Sequence, residues 1–180
     1  MLRPEPGSGA IRMAFMARIW TMTLALAALA ACALDEPGSA RSYVAGWTWP
    51  AEGTYFSSTR ACTVAVFQLD MAALRPAARR VYDLRQGIAL LRQGRAVAFA
   101  DTRTSPDAVA QGVMSADLHT GLGMLASVTG ARACMSDAVA RGVQRLLTAQ
   151  GAVTVYDPGE NAVVFLDFGS RLAVFLRAGS

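Results

Sequence analysis

From Ile19 to Ala31 the chain is apolar, IWTMTLALAALAA, broken only by threonines, and Arg12 and Arg18 precede the run. A positive stretch followed by an apolar one of this length reads as the n- and h-regions of a secretory leader. It falls short of the roughly 20 residues needed to span a bilayer. The pattern then changes. Residues 33–46, ALDEPGSARSYVAG, show no periodicity and contain proline and glycine, as expected of a tether. In the following GWTWPAEGTYF, Trp47 and Trp49 share one face of an extended segment, where they cover a core edge or meet a partner or membrane surface. Pro50 to Gly53 supplies a turn.

Further along, ACTVAVFQL over 61–69 predicts a buried strand closed by Asp70. Asp70 is placed to cap a helix running to about Gln93, with Pro76 in its first turn. Met71, Leu74, Ala78, Val81, Leu84, Ile88 and Leu91 recur at three- and four-residue steps and form its apolar stripe. Gly94 ends it, and AVAFA at 96–100 reads as a strand, which together give a βαβ unit. Ser105 and Pro106 open a second helix that ends by Gly121 and Gly123. The stretch to Gly130 fits neither period. A third helix runs from Cys134 or Ser136 to Gln150 and buries Met135, Val139, Val143 and Leu146. VTVY, AVVFLDF and LAVFL, separated by DPGEN and GSR, predict a three-stranded antiparallel meander. No convincing internal repeat stands out. The expected fold is α/β of the α+β kind: a single two-layer domain over 47–180, with a mixed sheet of about five strands and helices on one face.

The chain has 180 residues, enough for one domain. Its formal charge of +4 includes three arginines and one glutamate upstream of Cys32, so the part from Cys32 onward holds 14 basic and 12 acidic residues, a net of +2. That small excess lacks the concentrated basic patch that phosphate backbones require, and no nucleic-acid partner is expected. All the basic residues are arginine. Without a lysine amine, Schiff-base chemistry and a P-loop are excluded.

The apolar run ends in Leu29-Ala30-Ala31-Cys32, which resembles the bacterial lipobox, a medium apolar residue, two small ones and a cysteine. The resemblance implies that residues 1–31 are a signal peptide. It implies that signal peptidase II cuts before Cys32, whose thiol takes a diacylglyceryl group and whose new amine is acylated. Residues 32–46 then carry the lipid and the tether. Ala33, where an aspartate would retain such a protein at the inner membrane, implies an anchor at the periplasmic face of the outer membrane. Two or three acyl chains, at about 0.8 kcal/mol per buried methylene, make the anchor practically permanent. Met13 or Met16 is a plausible initiator, since Met1 to Arg12 reads as an overlong start.

Beyond Cys32 only Cys62 and Cys134 remain. In an oxidising compartment two cysteines of one domain most simply pair, here a bond from the first strand to the last helix. Two buried thiols and half of a metal site are the alternatives, and a zinc site needs about four closely spaced ligands. No metal or other cofactor is expected.

The residues that could carry chemistry form only weak constellations. His119 is the only histidine. Ser115, Asp117 and His119 share a face only on a strand, and there aspartate stands between serine and histidine, when histidine must be in the middle. Gly121, Gly123 and Ala126 match the loose GxGxxA pattern without a clear preceding strand. Arg75 and Arg79 fall on the side of the first predicted helix away from its stripe, with Arg85 and Arg92 flanking it. That makes a solvated face or candidate contacts for an acidic partner or anionic headgroups. The sequence thus leads to a non-enzymatic binding or assembly protein of the cell envelope, with an envelope protein as partner. A small envelope hydrolase whose site assembles only in the fold is the alternative.

Overall fold

In the computed structural model, which describes residues 35–179, the apolar runs line up as one seven-stranded sheet. The strands are β1 (Trp49–Ser58), β2 (Cys62–Met71), β3 (Arg80–Val81), β4 (Val97–Phe99), β5 (Ala152–Asp157), β6 (Ala162–Asp167) and β7 (Leu172–Ala178). Their order across the sheet is β1-β2-β7-β6-β5-β4-β3, antiparallel throughout except for the parallel edge pair β3 and β4. Five α-helices are described: α1 (Pro37–Ala45), α2 (Leu84–Leu91), α3 (Pro106–Ala116), α4 (Leu118–Gly130) and α5 (Asp137–Thr148). The class is α+β. The described residues, 35–179, belong to one compact unit.

The central strands are apolar on both faces because both faces are covered. Val64, Val163, Phe165, Val174 and Leu176 point to the face packed by α2 to α5, where they meet Ile88, Val113, Met124 and Val143. Phe67, Val153, Val164, Leu166 and Phe175 point to the other face, which carries α1 through Ala40 and Val44. The expected layout is corrected here in two respects: the sheet has seven strands rather than five, and helices lie on both faces.

Residues 35–46 are not a tether. Pro37 at the first turn and the reciprocal bonds between Glu36 and Ser39 start α1. Only Ala40 and Val44, one turn apart, are buried from it, too little apolar signal to read from the sequence. The expected leader, Cys32 and residues 33 and 34 lie outside the described residues.

The helix expected from Asp70 to Gln93 is also corrected. β2 continues through Met71, the chain then runs without regular structure past Pro76, and Arg80–Val81 adds an edge strand. Only the last three of the seven stripe residues, Leu84, Ile88 and Leu91, lie on a helix, capped by Asp83, whose carboxylate accepts from the Gln86 N–H at 3.1 Å. Leu74 instead packs on the opposite face of the sheet. A βαβ unit exists, but it is β3–α2–β4. The expected partner β2 is separated from β4 by the whole meander.

Both hairpins of the meander repeat one device. The carboxylates of Asp157 and Asp167 accept from the N–H groups of the glycine two residues on and the residue after it. Four-residue loops then close with Asn161 at φ 50° and Arg171 at φ 55°. This short internal repeat, D-x-G-x-N and D-x-G-x-R, escapes notice in the sequence because its last position differs.

The register places one end of every strand together. Cys62 faces Ala178, Ala162 faces both Asp157 and Arg177, and Val97 faces Tyr156. α4 crosses this end: a Cβ on Gly123 would stand 2.6 Å from the Tyr156 hydroxyl, and one on Gly130 would stand 2.8 Å from the Ala178 Cβ.

Candidate functional site

α5 begins where Ser136 caps it, its hydroxyl accepting from the Val139 N–H at 3.3 Å, with Asp137 complementing the helix dipole in the first turn. Val143 and Leu146 bury themselves against the sheet, whereas Ala138, Gly142 and Ala149 leave the flank of the helix thin. Between that flank and the β6–β7 hairpin runs a groove of about 490 Å³. Val66, Val139, Leu146, Leu172 and Val174 form its walls, and Arg145, Asp167 and Ser170 form its rim.

The two rim charges differ in what they are free to do. Asp167 is committed to its turn through the N–H groups of Gly169 and Ser170. The exposed Arg145 guanidinium joins no ion pair among the described residues. On the other flank of α5 a second groove of about 480 Å³ lies against Val128, Met135 and Leu147, with Arg132 and Arg141 beside it. Such grooves can hold an apolar group and orient it by a guanidinium.

Cys62 and Cys134 form a disulfide, with Cα atoms 5.9 Å apart. It joins the first residue of β2 to a 3-10 turn, Ala131–Cys134, rather than to the last helix as expected. The Tyr55 hydroxyl braces the same corner: it donates to the Cys134 carbonyl at 2.7 Å and accepts from the Ser136 N–H at 3.0 Å.

The remaining sequence candidates disperse into structural roles. Ser115 donates its hydroxyl to the Gln111 carbonyl. Asp117 caps α4 by accepting from the Thr120 N–H and receives the Arg92 Nε at 2.7 Å. The Arg92 bond, then the Thr120 bond, hold this carboxyl below its usual range. His119 is exposed. Gly121, Gly123 and Ala126 lie inside α4 and not in a strand-to-helix turn, so no nucleotide cradle forms. The two glycines serve close packing against Met114 and Tyr156.

Arg75, Arg79, Arg85 and Arg92 do not form the expected face, because the helix that would align them is absent over its first half. Arg75 donates to the Thr48 carbonyl and lies 4.7 Å over the Trp49 ring. Arg79 donates to the Ala96 carbonyl, Arg85 is exposed on α2, and Arg92 holds Asp117. Trp47 packs on the α1 side of the core.

The grooves beside α5 were not picked out from the sequence. The available signal was the row of small residues, Ala138, Gly142 and Ala149, on an otherwise strongly amphipathic helix. Among the described residues no three His, Cys, Asp or Glu side chains stand together as a metal site. No described helix is long and apolar enough to cross a membrane. In comparison with known proteins, the chain matches no family model, no curated protein and no solved structure.

Proposed function

We propose that this chain is an exported lipoprotein, held by acylated Cys32 at the periplasmic face of the outer membrane, whose domain binds an envelope partner without transforming it. The observation that carries the reading is the Cys62–Cys134 disulfide, a bond of oxidising compartments, in a chain whose N-terminal part resembles a lipobox leader. The fate of the reactive side chains supports a binding role. Ser115 and Asp117 are occupied in helix bonding, and the open surface beside α5 is apolar with a guanidinium on its rim.

Two measurements test this reading. Mass spectrometry of the native N-terminal peptide should find an acylated cysteine, and Cys32→Ala should release the protein from membranes. An unacylated mature chain beginning elsewhere removes the anchor. For the binding role, Gly142 lines the groove and has no atom within 4 Å of where a Cβ would stand. A photo-crosslinking residue fits there without disturbing the fold. It should give one discrete envelope adduct in the native host. If no adduct forms and the purified protein instead hydrolyses an envelope substrate in a way that depends on His119 or Asp167, the binding reading is wrong.

A further inference from the structure

Three sides of α4 are taken by the fold. Gly123 and Gly130 meet the strand ends at Tyr156 and Ala178; Met124 and Ser127 enter the core; Gly121 abuts Met114 of α3. The fourth side is nonetheless apolar: Leu118, Leu122 and Leu125, at i, i+4 and i+7, are 62%, 48% and 43% exposed. A helix that is apolar on its outward side as well as its inward side leaves a surface wanting a cover.

Two observations say what covers it. The first is where the chain enters the domain. Asp35 is fastened by Arg177 at 2.7 Å, and Arg177 faces Ala162 at the strand ends that α4 crosses. The link from Cys32 to Asp35 is three residues, a reach of at most about 11 Å. A lipid on Cys32 therefore keeps this end of the sheet close to the bilayer. The second is charge. Arg60, before β2, and Arg95, before β4, are exposed at the same end and join no ion pair among the described residues. Of the carboxylates near that end, Asp35 and Glu160 are held by Arg177, Asp157 by the Tyr43 hydroxyl and Asp117, next to Leu118, by Arg92, while Glu36 and Asp137, the latter beside Arg132, are exposed. Leucines flanked by unpaired arginines match an interface of acyl chains beneath anionic headgroups.

We infer that the strand-end surface built from Leu118, Leu122 and Leu125 of α4, with Arg60 and Arg95 beside it, is a membrane-contact face that seats the domain directly on an anionic phospholipid bilayer. The inference deepens the anchored reading and rests on it for which surface lies nearby. The lipid then sets orientation as well as location: the groove between α5 and the β6–β7 hairpin, with Asp167 and Ser170 at the opposite strand ends, stays open toward the aqueous side.

The test separates this face from the lipid. Residues 33–180, with the disulfide formed and no acyl group, are mixed with vesicles of phosphatidylethanolamine and phosphatidylglycerol, and with vesicles of phosphatidylcholine alone. Cosedimentation with the anionic vesicles should be salt-sensitive and should weaken by about tenfold or more when all three leucines become glutamine. Since the three are exposed, circular dichroism should be unchanged. Leu122→Trp should report burial as a blue shift of its emission on adding the anionic vesicles. No vesicle binding by the parent chain, or equal binding by the triple variant, overturns the proposal. So does a parent dimer that the triple variant converts to monomer, because the face would then meet a second copy. Failure to find acylated Cys32 in the native protein removes the anchored reading and leaves the vesicle result standing, so the two can fail separately.

Discussion

Arg177 and Asp35, 142 residues apart in the chain, form an ion pair at 2.7 Å in which both side chains are mostly shielded from water. The same guanidinium reaches Glu160 at 2.8 Å and lies over the Phe175 ring. One cation thus fastens the start of the domain to β7 and to the β5–β6 turn. Asp35→Ala should cost about 1–2 kcal/mol, between the values of exposed and buried pairs. It should also free α1 first. Amide exchange over Pro37–Ala45 should accelerate while that of β6 and β7 stays slow. Unchanged protection of α1 would show that Ala40 and Val44 hold the helix without the pair.

The disulfide offers a larger effect. It closes a loop of 72 residues between β2 and the 3-10 turn. In the chain-entropy view that constraint contributes about 4 kcal/mol. Reduction, or Cys62→Ser with Cys134→Ser, should shift the urea midpoint down accordingly. Because Tyr55 still ties Cys134 and Ser136 to β1, the reduced domain should keep its far-ultraviolet spectrum. Coincident midpoints before and after reduction would rule out a stabilising role.

What the sequence announced and what it hid follow from how each element is held. The meander was legible because β5, β6 and β7 are short, predominantly apolar runs separated by aspartate–glycine turns, a local code read within a few residues. Ser105 and Ser136 announced α3 and α5 for the same reason. By contrast, the spacing from Met71 to Leu91 imitates a helix. Its first half is set by tertiary pairing: the Ala98 N–H bonds the Arg79 carbonyl, and the Arg75 N–H bonds the Trp47 carbonyl. β1 was hidden because its register shifts three times against β2 between Trp49 and Tyr55, which destroys strict alternation. The candidate site fared worst. The grooves depend on how α5 lies against a hairpin, and the α4 leucines look like core until three sides of that helix are seen to be occupied already.

Glycines in α2 and α4 are packing devices, which gives sharp predictions. A Cβ at Gly121 would fall on the Met114 backbone, and one at Gly87 would enter the Phe99 ring. Gly121→Ala and Gly87→Ala should therefore destabilise the domain by about 1–3 kcal/mol, despite alanine's better helix propensity. Gly142→Ala, on an open flank, should be neutral or stabilise by about 0.5–1 kcal/mol. Thermal melts of the three variants check the ordering. A stabilised Gly121→Ala would mean that α3 and α4 can separate freely.

Thr154 is a case of the opposite kind, a buried polar group with no partner. Its residue is 0% exposed on β5, opposite Phe99, and its hydroxyl makes no hydrogen bond. A hydroxyl stripped of water without compensation opposes folding, and valine has the same shape without that defect. Thr154→Val should raise stability by about 1 kcal/mol. A loss in chemical denaturation would mean that the hydroxyl finds a partner in solution.

The phenol of Tyr43 donates to the Asp157 carboxylate at 3.0 Å. Burial first, and then the nearby negative charge, push its ionisation far above the ordinary value of 10.0. The unfolded chain can release that proton near pH 10 while the folded domain cannot. The contribution is therefore complete below pH 10 and declines as pH rises beyond it, at about 1.4 kcal/mol per pH unit for one group. Burial and Asp157 shift Tyr156 upward as well, so the native domain should lose stability steeply in alkali. Tyr43→Phe should cost about 1 kcal/mol at neutral pH, since Asp157 keeps its bonds to the Gly159 and Glu160 N–H groups. Above pH 10 its stability should fall less steeply, by one proton's worth of slope. Denaturant titrations of both proteins at a series of alkaline pH values decide the matter. Parallel curves would place the alkaline sensitivity elsewhere and take Tyr43 out of the account.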